Sequence, residues 1–133
     1  MEINLPDVLT EVEAAFARYE VAVLSNDVAA LGALFRDDPR TIRYGMGENL
    51  YGHAEIRAFR TANSGANLLR TLSRTVITTY GRDAATASTL FRRDSLPGKL
   101  GRQMQTWIRF PEGWQIVAAH VSLLDEPAKV ETT

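Results

Sequence analysis

Between residues 4 and 25 (NLPDVLTEVEAAFARYEVAVLS) apolar side chains recur every three or four positions. Leu9, Val12, Phe16, Tyr19 and Val23 therefore share one face, and the spacing predicts an amphipathic helix. Asn4 reads as its N-cap, Pro6 suits the first turn, and Asp7 complements the positive end of the dipole. Asn26-Asp27 stops this helix and caps a second over 28–35. Asp37-Asp38-Pro39 ends that one, because proline biases the residue before it away from helical backbone. Thr41 to Tyr44 reads as a short strand, Gly45 and Gly47 allow a tight turn, and 49–51 return. A third helix over 53–63 (HAEIRAFRTAN) turns Ile56 and Phe59 inward.

Beyond residue 67 the spacing falls to two. Residues 68–80 are rich in Thr and β-branched side chains and predict a strand; 81–83 turn, 84–93 return, and 94–98 form a loop. The last element is a hairpin over 101–124, GRQMQTWIRF and WQIVAAHVSLL joined by Pro111-Glu112-Gly113. A three-residue loop with φ > 0 at Gly113 would pair Phe110 with Trp114, Ile108 with Ile116, Thr106 with Ala118 and Met104 with His120. That face is apolar except near His120, Ser122 and Arg102. The other carries Trp107, Val117, Val121 and Leu123, with Gln103 and Gln105 toward one end. A hairpin apolar on both faces belongs at the centre of a sheet. Helices followed by a meander predict one α+β domain over residues 1–133, ordered over about 5–125, with a frayed tail over 126–133. The helices cover one face of a curved sheet, leaving a pocket between the first helix, the third helix and the sheet.

Composition narrows the function mainly by exclusion. A chain of 133 residues with a net charge of −1 lacks the basic excess that nucleic acid requires. It has no cysteine, which removes disulfides, thiolate catalysis and thiolate metal sites together. No apolar run approaches the ~20 residues of a membrane helix. The start, MEINLPDV, lacks the basic and apolar regions of a signal peptide, so the expected location is cytoplasmic. His53 and His120 lie far apart without ligand spacing, and phosphate-loop, dinucleotide and nucleophile-elbow motifs are absent. Neither metal nor cofactor is expected. Arginine far outnumbers lysine; its planar fork suits carboxylates and adds weak support for a small anionic ligand, while for any one arginine a solvated surface position is the ordinary expectation.

Tyr19, between Phe16 and Val23, has a hydroxyl that needs a partner on a buried face. It is either a core tyrosine or a donor and proton-transfer group aimed at a substrate. Arg43 alternates with Ile42 and Tyr44, and pattern alone puts Ile42 inside. An inward Arg43 would need a carboxylate, from substrate or from Glu48 or Glu55, and a protein partner would weaken its claim on a substrate anion. His120 faces Met104 on the inner side in the register above, as a satisfied core histidine or a pocket group. Arg70, Arg74, Arg92, Arg93 and Arg102 can form a cationic rim with Asp94.

RYGMGENLYG (43–52), IRAFR (56–60), RTVITTYG (74–81) and above all GRQMQTWIRFPEGWQIVAAHVSL (101–123) resemble AtzH-like proteins. These belong to the nuclear transport factor 2-like, or SnoaL-like, superfamily, and the resemblance spans about residues 7–124. It implies a cone-shaped α+β fold, a dimer through the outer sheet face, and hydrolytic release of ammonia from a carboxylated urea or biuret-type amide in s-triazine, ureide or oxalurate catabolism, often beside an amidase. On matched positions it makes Tyr19 and Arg43 the catalytic pair, with Arg43 turned inward, and His120, Met104, Phe16, Phe59 and Arg70 substrate-binding. The Met104–His120 side then becomes pocket wall and the Trp107–Val121 side dimer surface. The chain departs from the family pattern at Met104, where a small residue often Ser is usual, at Asn63, near an expected arginine, at Ala84, and in the loop 61–67. A non-catalytic accessory or binding subunit of an amidase is the competing expectation, and other acid/base chemistry in a remodelled pocket is a third.

Overall fold

A computed structural model describes residues 1–126. Of the tail expected to fray over 126–133, Glu126 is instead tied down, its N–H donating to the Gly98 carbonyl at 2.9 Å and its carboxylate accepting from Arg92 Nε at 3.0 Å; the rest lies outside the described residues. Three helices precede or interrupt six strands: α1 (Pro6–Leu24), α2 (Val28–Leu34), β1 (Ile42–Tyr44), β2 (Asn49–Tyr51), α3 (His53–Ala62), β3 (Thr71–Tyr80), β4 (Ala84–Arg92), β5 (Lys99–Phe110) and β6 (Gly113–Asp125). The strands form one sheet in the order β2-β1-β6-β5-β4-β3. Only β1 and β6 run parallel; the other neighbours are antiparallel. The core is the apolar face of α1, from Val8 to Val23, closed against Leu31, Phe35, Ile56 and the inward side chains of β4, β5 and β6.

Local chemistry explains the element ends, with one correction. Asp27 caps α2 as expected, its Oδ1 accepting the Ala30 N–H at 3.1 Å. Asn4 does not cap α1: the N-cap is Leu5, which makes no side-chain cap bond. Asn4 adopts a left-handed φ of 56° and bonds both ways with the Thr79 backbone, tying the N-terminus to β3. Asn26, also left-handed, donates from Nδ2 to the carbonyls of Asn63, Ser64 and Ala66, which fastens the end of α3 to the end of α1.

The hairpin departs from expectation at its tip. Phe110 pairs with Gly113, so the loop is the two residues Pro111-Glu112, and Gly113 carries φ 114°. Trp107 pairs with Ile116 and Thr106 with Ala118, which leaves Val117 as an extra residue in β6. This bulge inverts the alternation along the strand. Trp114 and Ile116 point inward before it, and Ala119 and Val121 point inward after it. The expected pairs Thr106–Ala118 and Met104–His120 do form. The face they occupy is the outer one.

Candidate functional site

The inner face of the sheet is read most easily as rows of register partners. One row runs Arg43 on β1, Ala119 on β6, Gln105 on β5 and Ala87 on β4; the next contains Val121, Gln103 and Thr89. All are buried. The pattern-based preference for Ile42 inside is thus overturned: Arg43 is 7 % exposed, and Ile42 lines the outer face. A strand of only three residues, with little alternation to read, cannot announce its own face.

Arg43 is held from two sides. Its Nη1 donates to Glu48 Oε1 at 2.7 Å, and its guanidinium lies 5.6 Å from the centre of the Phe59 ring. Glu48 reaches it across Gly45, where an added Cβ would sit 1.7 Å from Glu48 Oε1 and 2.8 Å from Arg43 Nη1. The protein itself therefore supplies Arg43 with a carboxylate, which reduces its claim on a substrate anion. Its Nε remains without a partner among the described residues.

Three further arginines converge here. Arg70, expected on a cationic rim, is half-buried with its side chain turned inside; it pairs with Glu20 of α1, donates to Gln103 Oε1 at 3.0 Å, and lies 4.9 Å from the Phe91 ring centre. Arg93 covers the same ring at 5.2 Å. Arg60, on the inner face of α3, is 7 % exposed, and its Nε has no partner among the described residues. Burial pushes the Arg60 guanidinium below its usual range; the Tyr19 hydroxyl opposes that shift, while Arg43 and Arg70 add to it. Arg93 is lowered for the same first reason, with Arg70 and Arg60 next. Four arginines thus share one interior with two facing carboxylates, Glu20 and Glu48. The surplus of positive charge is what an anionic ligand would neutralise.

Tyr19 is buried on α1, its ring edge-on to Phe35 at 6.4 Å, and its hydroxyl lies against Arg60 and near Arg93. Phe16 is buried one turn before it, and half-buried Phe59 stacks on Arg43. Tyr19, Arg43, Arg70, Phe16 and Phe59 are therefore brought to the same interior side of the sheet. Met104 and His120 are not. Met104 is 58 % exposed on the outer face, and exposed His120 sits edge-on to Tyr44 at 6.0 Å. Their assignment as pocket wall is corrected by the bulge at Val117, as is that of Trp107 and Val121 as dimer surface, since both are buried inside.

Sequence reasoning missed Arg60, Gln103 and Gln105 as site residues. Arg60 follows Ile56 by four positions, so it shares the helical face already assigned inward. The second histidine is explained without chemistry: His53 Nε2 lies 2.7 Å from the Gly32 carbonyl and pins α3 to α2.

The interior group meets the surface at a cleft of about 320 Å³ lined by Leu24, Asn67, Arg70, Arg92 and Asp94. A larger cleft, about 700 Å³, lies between α1 and the hairpin tip and shares none of the arginines above. There Arg109 already pairs with Asp83, and Trp114 donates to Glu11.

Solved structures place this architecture. A protein of unknown function from Pectobacterium atrosepticum is 61 % identical, covering 92 % of this chain and 95 % of its own, with a TM-score of 0.89. A cystatin-like fold protein from Burkholderia xenovorans is 50 % identical over 96 % and 99 %, TM-score 0.89. A nuclear transport factor 2-like superfamily protein from Salmonella enterica, 26 % identical over 94 % of both chains with a TM-score of 0.68, shares the cone-shaped α+β fold. No curated protein matches the chain. The sequence pattern of the AtzH-like family matches residues 1–127, and the chain belongs to that family.

Proposed function

We propose that this protein is a hydrolase that releases ammonia from a small carboxylated urea or biuret-type amide, acting in the arginine-lined interior. One observation carries the reading: Arg43, Arg60, Arg70 and Arg93 share the interior beside Tyr19, and among the described residues only Glu48 and Glu20 pair with them. Arg60, which has no carboxylate partner among the described residues, takes the substrate carboxylate. Arg43 Nε polarises the amide carbonyl, its guanidinium held in place by Glu48. Water adds to that carbonyl, the C–N bond breaks, and the nitrogen leaves as ammonia with the proton that Tyr19 relays. No cofactor or metal enters the scheme. The active unit is a homodimer packed through the outer sheet face, where Met104, Tyr51 and Val76 are exposed.

The test is ammonia release from such amides by the purified protein, beside Arg43→Ala and Arg60→Ala. Turnover should fall at least about a hundredfold in each, the usual scale for losing a positioned electrostatic group. Equal turnover in all three proteins would sink the assignment.

A second reading is favoured by a specific feature. Both interior carboxylates are already ion-paired, so neither is free to serve as general base. On that reading the chain is a non-catalytic binding or accessory subunit of an amidase. Saturable binding of the same ureido acids without ammonia release would select it.

A further inference from the structure

Two side chains of this interior have no part in the reaction above. Gln103 and Gln105 occupy successive inward positions on β5, and each is 2 % exposed. Their amide nitrogens have no partner among the described residues. An unsatisfied buried donor costs roughly 1–3 kcal/mol, enough that a glutamine free to rotate its amide would do so. Neither can. The Gln103 oxygen accepts from Arg70 Nη1 at 3.0 Å, and the Gln105 oxygen accepts from Trp107 Nε1 at 3.0 Å. Guanidinium and indole are donors only, so a rotated amide would set N–H against N–H. Trp107 is fully buried, and Arg70 is fixed by Glu20 and Phe91. Both nitrogens are therefore donors of fixed direction facing the interior.

The inner-face neighbours of Gln105 are small. Its register partners are Ala119 and Ala87, and Ala119 separates it from Arg43. Two strand spacings put the Arg43 and Gln105 backbones about 10 Å apart, a gap their side chains and a short ureido acid together span.

We infer that Gln103 and Gln105 are specificity-determining residues, selecting ligands that carry a ureido or biuret carbonyl oxygen in addition to the carboxylate taken by the arginines. The inference rests on the reading of this interior as the ligand site. Two probes of equal charge and heavy-atom count test it: ureidoacetate, and 4-methylpentanoate, in which an apolar branched alkyl group replaces the ureido group. Wild-type protein should bind ureidoacetate at least about tenfold more tightly, the scale of one satisfied buried donor. Ureidoacetate should also shift the side-chain amide NMR signals of Gln103 and Gln105, and 4-methylpentanoate should leave them in place. Gln105→Leu should lose about tenfold of the preference by the same count. The NMR measurement uses wild-type protein, so it decides even where a variant fails to fold. Equal affinity for the two probes, unmoved amide signals, or no binding of ureidoacetate would each overturn the inference. Preference and shifts without any ammonia release would remove the hydrolase reading and leave this one standing. Ammonia release from ureidoacetate with unmoved amide signals would do the reverse.

Discussion

Gln103, Gln105 and Trp107 point into the molecule, while Arg102, Met104 and Thr106 between them point out. One strand therefore serves two surfaces of opposite character. The inner one combines a fully buried tryptophan with buried amides and, in the row of Gln105, a buried arginine. The outer one is open, with clefts of about 330, 250 and 390 Å³ that all include Met104. Burying apolar surface favours folding, whereas burying charge and unsatisfied amides opposes it. An interior that accepts the second cost is shaped by something other than stability. The outer face carries no such cost, and its exposed apolar residues need only another surface to cover them.

The sharpest way to break this contrast is to change one side chain on each face of β5 and compare the costs. Trp107→Ala should cost about 3–5 kcal/mol in urea denaturation, since the side chain is fully buried and its indole N–H is bonded. A loss under about 1 kcal/mol would place Trp107 outside the core.

A smaller effect is expected where the inner face is tightest. The Phe91 ring lies over Gly101, and an added Cβ would meet ring carbons at 2.2–2.4 Å. Gly101→Ala should therefore cost about 1–3 kcal/mol, the range for overpacking. It should also disturb the ligand site, because the same ring is stacked by Arg70 and Arg93. A stability loss with ligand affinity unchanged would separate Phe91 from the site.

Arg60 should reverse the sign. Its guanidinium is buried, is lowered by that burial, and has no carboxylate partner among the described residues. Arg60→Met, similar in length, should stabilise the protein by about 1–2 kcal/mol while weakening ureido-acid binding. Destabilisation with binding intact would make Arg60 a structural cation.

The fold was legible wherever periodicity ran long. Nineteen residues of α1 and the Asp27 cap follow from spacing and side-chain chemistry alone. The site was legible only in part. Tyr19 shares its face with Phe16, so its burial could be read directly. Arg43 lies on a three-residue strand and needed the family resemblance to turn it inward. The hairpin faces were inverted by one extra residue, Val117, and a bulge has no signature in an unbroken run such as WQIVAAHV. Arg70 read as rim because its burial depends on Glu20, fifty positions earlier in the chain. Long-range pairings of this kind carry no local pattern.

The smallest stability effect is the most informative about the outer face. Met104 makes its exposed surface beside Ile42, Tyr44, Thr86 and Ala118, so Met104→Glu removes nothing from the core. In a monomer the change in stability should stay within about 0.5 kcal/mol. In a dimer packed through this face, the new charges would meet across the interface unpaired, and dissociation would become strongly favoured. Sedimentation should therefore show wild-type dimer giving way to monomer in the variant. The wild-type melting temperature should rise with protein concentration and the variant's should not, because association stabilises only by mass action. An unchanged association state would exclude this face as the interface. A loss as large as that of Trp107→Ala would mean that the two faces of β5 have been assigned the wrong way round.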